Sequence, residues 1–92
     1  VNIALARVVE TCAGLPSQWD AWTTDGQYLY LRYRHGQGTV DQQPGQDTDS
    51  WRFTADTTLC RWDDGTGGGD IELAEFLRAA GLELAPGVEV ER

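Results

Sequence analysis

Between Trp19 and Arg34 the chain reads WDAWTTDGQYLYLRYR, two runs of alternating apolar and polar character joined at Asp25-Gly26. Asp-Gly takes positive φ at low steric cost, which suits a two-residue hairpin turn whose twist matches paired strands. Closed there, the turn sets Thr23 opposite Tyr28, Trp22 opposite Leu29, Ala21 opposite Tyr30 and Trp19 opposite Arg32. Side chains alternate across a strand, so Tyr28, Tyr30, Arg32 and Arg34 share one face and Leu29, Leu31 and Tyr33 the other. The expected ribbon thus gathers five rings and two arginines.

Weaker patterns flank it. Ile3 to Thr11 alternates loosely and reads as a strand, although Ala, Leu and Arg also suit a short helix. Gly14-Leu15-Pro16-Ser17 interrupts that pattern, because Pro cannot donate to a ladder. His35-Gly36-Gln37-Gly38 is a second tight connection, leading to a strand over Thr39 to Gln42. Gln43 to Ser50 has turn formers and acids without an apolar face, as expected of an exposed loop. Alternation returns in Trp51 to Thr54 and in Leu59 to Trp62, which predicts a second hairpin turning at residues 55–58. After a glycine-rich stretch, Asp70 is placed to cap a helix, with Glu72 and Glu75 at its positive end. Leu73, Phe76, Leu77 and Ala80 form its apolar stripe, and Gly81-Leu82 its left-handed stop. Leu84, Val88 and Val90 predict an edge strand beyond Pro86-Gly87. The pattern as a whole predicts one α+β domain over residues 1–92, a small antiparallel sheet of about five or six strands in meander hairpins with one C-terminal helix packed on it.

Charge changes what such a surface is expected to bind. The net charge is −8, and every basic residue is Arg. In residues 1–34 three Arg balance three acids, whereas residues 35–92 hold four Arg against twelve acids. That field repels phosphate backbones and favours cationic partners or plain solubility. No apolar run approaches the roughly eighteen residues a membrane span needs, and no signal-peptide pattern is visible. The expectation is therefore a cytoplasmic protein without a membrane partner. In that compartment Cys12 and Cys60 read as free thiols.

Two strings, TCAGLPSQWDAWTTDGQYLYLRYR and DIELAEFLRAAGLELAPG, give the chain a loose resemblance to small proteins without assigned activity from high-GC actinobacteria and their bacteriophages. The absence of Lys in a chain rich in Ala, Gly, Arg, Asp and Thr fits such a source. The resemblance implies a phage or actinobacterial origin, and host cytoplasm if phage-encoded. It carries no activity and no functional residues.

The leading candidate site is the ribbon face bearing Trp19, Tyr28, Tyr30, Arg32 and Arg34. Trp, Tyr and Arg dominate protein-binding hot spots. The alternatives are a base-stacking platform, which the acidic field disfavours, and a covered face on which Arg32 lies over Trp19 as a cation–π pair. A second candidate is Asp64 to Glu75, DGTGGGDIELAE, which resembles a degenerate EF-hand loop with Asp64, Thr66, Asp70, Glu72 and Glu75 as its ligands. Thr66 and Gly68 stand where carboxylates belong, so calcium binding there would be weak. A third is an acidic nucleic-acid mimic displaying Asp41, Asp47, Asp49, Asp56, Asp63, Asp64, Glu72 and Glu75, set against ordinary solubilisation.

Other chemistry has little footing. A Cys12–His35–Cys60 metal site lacks a fourth ligand. The glycines lack the Gly-Lys-Ser/Thr of a phosphate loop and are bracketed by acids. One turn histidine with Ser17 and Ser50 in loops makes no triad. The sequence therefore points to a non-enzymatic module without a cofactor that binds a protein, with self-association through an edge strand as a variant.

Overall fold

The alternation in YLYLRYR governs the centre of the molecule. The computed structural model describes residues 3–13, 17–52, 54 and 56–92; the break read at residues 14–16 and the middle of the predicted strand at Phe53 lie outside them. β1 (Ile3–Ala13), β2 (Ser17–Thr23), β3 (Tyr28–Arg34), β4 (Gln37–Gln42) and β5 (Thr58–Asp63) pair antiparallel with their chain neighbours. α1 (Leu73–Ala80) follows, then β6 (Leu82–Leu84) and β7 (Val90–Glu91), both pairing parallel with β1. The path is β5-β4-β3-β2-β1-β6, with β7 also on β1. This is the α+β architecture expected, as a mixed sheet whose C-terminal additions are the parallel part.

The ribbon turn differs from expectation by one residue. Thr23 N–H donates to the Gln27 carbonyl at 2.9 Å, Gly26 N–H to the Thr23 carbonyl at 2.9 Å, and Gln27 N–H to Thr23 Oγ1 at 3.0 Å. Residues 24–26 form the loop, with Gly26 at φ 88°, as in three-residue hairpins that place Gly in the left-handed position. Trp22 therefore pairs with Tyr28, Ala21 with Leu29 and Trp19 with Leu31. A one-residue slip exchanges the faces, so Trp19 lies on the side opposite Arg32, and the expected Trp19–Arg32 neighbourhood is overturned. The two-residue turn with both φ values positive is found instead at His35-Gly36 (54° and 76°), joining Arg34 to Gln37.

Register now assembles the core. Leu5, Val8, Trp19, Ala21, Leu29, Leu31, Tyr33 and Val40 are buried on one face beneath Phe76 and Leu77. Phe76 sits between two indoles, 5.3 Å from Trp19 and 4.7 Å edge-on from Trp62. Its complete burial is worth about 1.5–3 kcal/mol in transfer free energy. Trp62 reaches this position by lying over Gly38, its partner on β4. A Cβ on Gly38 would be only 2.2 Å from the indole.

The helix begins later than predicted. Glu72 is its N-terminal cap in extended conformation and makes no side-chain capping hydrogen bond, so Asp70 does not cap it. Its end is as expected: Gly81 at φ 74° returns its N–H to the Arg78 carbonyl, and Leu82 follows, buried. Pro86-Gly87 then turns the chain toward β7, with Gly87 at φ 81° and Val88 N–H donating to the Ala85 carbonyl, the geometry of a type II turn.

Among the described residues the predicted second hairpin is not formed. Trp51, Arg52 and Thr54 are irregular, a 3-10 turn at Thr48–Ser50 precedes them, and β5 pairs with β4 instead. Trp51 turns inward because its ring finds Tyr30 at 4.6 Å and Tyr28 at 6.0 Å. Among the described residues no helix is long and apolar enough to cross a membrane.

Candidate functional site

The face of the sheet away from α1 carries Tyr28, Tyr30, Arg32 and Arg34, sharing one side as the alternation requires. They do not share one environment. Tyr28 is buried, Tyr30 and Arg32 are half-buried and Arg34 is exposed. The difference is made by the segment after β4. Gln43 clamps the Arg52 backbone in both directions, accepting its N–H at 2.9 Å and donating to its carbonyl at 2.8 Å. Trp51 Nε1 donates to the Gly45 carbonyl at 2.6 Å, which fixes the indole over the two tyrosines. Gln46 donates to Asp20 Oδ2 at 2.9 Å, and Tyr28 donates its hydroxyl to Asp20 Oδ1. Burial first, then the Asp20 carboxylate, pushes the Tyr28 phenol far above its ordinary range. Burial does the same to Tyr30, to a lesser degree. Both tyrosines remain neutral, and Tyr28 is tied to Asp20.

Beyond Tyr30 the indole gives way to Thr54 of the same segment, at the rim of a pocket. Arg32 on β3, Thr39 on β4 and Arg61 on β5 are directly registered neighbours, so the two arginines stand two strand spacings apart, roughly 10 Å between Cα atoms. Together with Tyr30, Asp41 and Thr58 they line an open pocket of about 530 Å³. Arg32 Nε is buried and has no hydrogen-bond acceptor among the described residues. Such an unmet donor costs about 1–3 kcal/mol. The ion pairs among the described residues, Arg7–Glu91 at 2.7 Å and Arg92–Glu10 at 3.5 Å, lie elsewhere. Asp41, only 4% exposed, also lines this pocket and accepts a hydrogen bond from Thr58 Oγ1 at 2.7 Å. Its burial removes it from the acidic display expected of a nucleic-acid mimic. Arg34 and His35 extend the strip to solvent, with Arg34 Nε donating to His35 Nε2 at 3.1 Å.

Of the sequence-derived set, Tyr30, Arg32 and Arg34 meet at this site, Tyr28 supports it from beneath Trp51, and Trp19 belongs to the core against Phe76. The cation–π partner expected of Arg32 goes to another pair, with Arg7 4.8 Å from the centre of the Trp22 ring. Thr39 and Arg61 were missed. The trace of Arg61 is its place as the one charged residue within Leu59-Cys60-Arg61-Trp62, opposite in phase to Trp62 and Cys60, and it becomes meaningful only once β5 is paired with β4.

The glycine-rich segment makes a different cleft of about 650 Å³, around which Asp64, Thr66, Asp70, Glu72 and Glu75 are arrayed with Glu10. Among the described residues no three of the carboxylate, thiol and imidazole groups converge as a metal set. The expected calcium loop is also entered from strand β5, where an EF-hand needs a helix. Asp64 is engaged within the protein: Tyr33 donates its hydroxyl to Oδ2, and Thr66 donates its N–H (2.9 Å) and Oγ1 hydroxyl (2.7 Å) to Oδ1. The Tyr33 hydroxyl first, then Thr66, holds this carboxyl below the ordinary 3.8. The thiols of Cys12 and Cys60 are free, on strands at separate places in the sheet. No family model, curated protein or solved structure matches the chain.

Proposed function

We propose that this domain is a non-enzymatic protein-interaction module whose contact surface is the end of the sheet beyond Trp51, formed by Tyr30, Arg32, Arg34 and Arg61. The observation that carries this reading is the buried Arg32 Nε–H, which has no acceptor among the described residues. A guanidinium remains charged at any ordinary pH, and a forked donor held partly out of water is suited to an incoming acceptor. The neighbouring rings supply the rigid area that binding hot spots use. An overall negative field opposes a nucleic-acid polyanion at long range but leaves a protein bearing isolated acidic residues acceptable. On the resemblance noted above, the chain is read as phage-encoded and its partner as a host protein.

Selection of a displayed random-peptide library on the immobilised protein tests the module. Enriched peptides should carry an acidic residue beside apolar ones and lose binding to Tyr30→Ala and to Arg61→Gln. Peptides that bind both variants as well as wild type, or no enrichment at all, would overturn it.

A further inference from the structure

Deepening that reading, and resting on it for the identity of the partner, we infer that the pocket between Arg32, Thr39 and Arg61 takes a single carboxylate from the bound protein. The pairing Arg32–Thr39–Arg61 sets a hydroxyl between two guanidinium groups on one face of three adjacent strands. Arg32 lines the pocket, its buried Nε–H has no acceptor among the described residues, and neither arginine belongs to an ion pair among them. The charge count selects the ligand. Two arginines and the buried Asp41 leave the pocket with one net positive charge. A monoanion neutralises it, whereas a phosphomonoester dianion would bring a second negative charge close to Asp41. Carboxylate geometry also matches the guanidinium fork, accepting two parallel N–H groups. The space, about 530 Å³, falls within the range of small-ligand sites and admits the carboxylate with the side chain that bears it.

The probe is the Arg32 Nε–Hε resonance of the whole chain, followed by NMR as small anions are added. N-acetyl-glutamate N-methylamide should shift it saturably at millimolar concentration, while the glutamine analogue should not. Arg61 is exposed, so Arg61→Gln preserves the fold, and it should weaken the response about tenfold, the loss of one charge-assisted contact. Comparison with N-acetyl-alanine separates a side-chain carboxylate from a chain-terminal one, since the form that saturates lower identifies the source. An unmoved Arg32 signal at tens of millimolar glutamate derivative would overturn the assignment. Tighter saturation by inorganic phosphate, or by oligothymidylate, would overturn it as well. A saturable response in a protein that enriches no peptides keeps the carboxylate pocket and removes the module. Enriched peptides indifferent to Arg61→Gln, with no carboxylate response, remove the pocket.

Discussion

On the helix side of the sheet, Leu29, Leu31 and Val40 lie beneath Phe76, which is held between Trp19 and Trp62, and the side chains there meet apolar neighbours. One residue out of phase along the same β3, the indole of Trp51 covers Tyr28 and Tyr30, and past it the same segment brings Thr54 to the pocket that Arg32 lines. The first face satisfies every requirement of a core. The second leaves a charged donor partly desolvated without an acceptor among the described residues, which folding alone does not favour. The contrast separates what holds the chain together from what it presents: stability resides with the helix, and the unmet chemistry lies beyond the Trp51 indole.

The largest expected effect is on the helix side. Phe76→Ala removes a ring with no exposed surface and should cost about 3–5 kcal/mol in urea unfolding; a loss below about 1 kcal/mol would show that this face is not the core. Next is Gly38→Ala, where the added methyl meets the Trp62 ring. Overpacking of this kind costs about 1–3 kcal/mol and should red-shift tryptophan emission as Trp62 is displaced. Unchanged stability and emission would mean the indole has room to move.

Arg32→Leu tests the contrast in the opposite direction. Replacing a half-buried charge whose Nε–H lacks an acceptor among the described residues by an apolar side chain should leave unfolding free energy unchanged or raise it by up to about 1 kcal/mol. A loss above that size would assign Arg32 to the architecture and erase the distinction between the faces.

The smallest effect is electrostatic. A carboxyl whose folded-state pKa is depressed contributes stability that is present above its unfolded value, near 3.8 for Asp64, and is lost as pH falls through the folded value. Tyr33→Phe should raise the Asp64 titration toward 3.8, read from its carboxyl carbon shift, and flatten the acid limb of the stability curve. An unaltered titration would mean that the Tyr33–Asp64 hydrogen bond does not form in solution.

Much of this was legible in the residues. Alternation located β3 and its two faces, and Leu73, Phe76, Leu77 and Gly81 located the inner stripe and end of α1. The ribbon register was not, because Thr24-Asp25-Gly26 serves a three-residue loop as readily as Asp25-Gly26 serves a two-residue one. Asp20 carries the deciding signal: the two-residue register would have set it on the face of Leu29 and Leu31. The observed one pairs Trp19 and Ala21 with those leucines and sends Asp20 to Tyr28 and Gln46. Trp51 to Thr54 misled for another reason, since alternation describes a strand only where a partner strand is available, and an indole packed at a tilt against two tyrosines outweighs it. Arg61 could be joined to Arg32 only through the order of β3, β4 and β5, which no local pattern states.

The parallel pairing of β1 with β6 and β7 has a consequence for biosynthesis. As the chain leaves the ribosome, the hairpins of β2 to β5 come together from short sequence separations, and β2 supplies one flank of β1 almost at once. The opposite flank stays unpaired until residues 82–91 have been translated, because Ile3 waits for Leu82 and Val8 for Val90. Strand flanks left open in this way recruit other chains. Nascent copies crowded on one message are therefore most prone to associate during the interval before the last strands emerge.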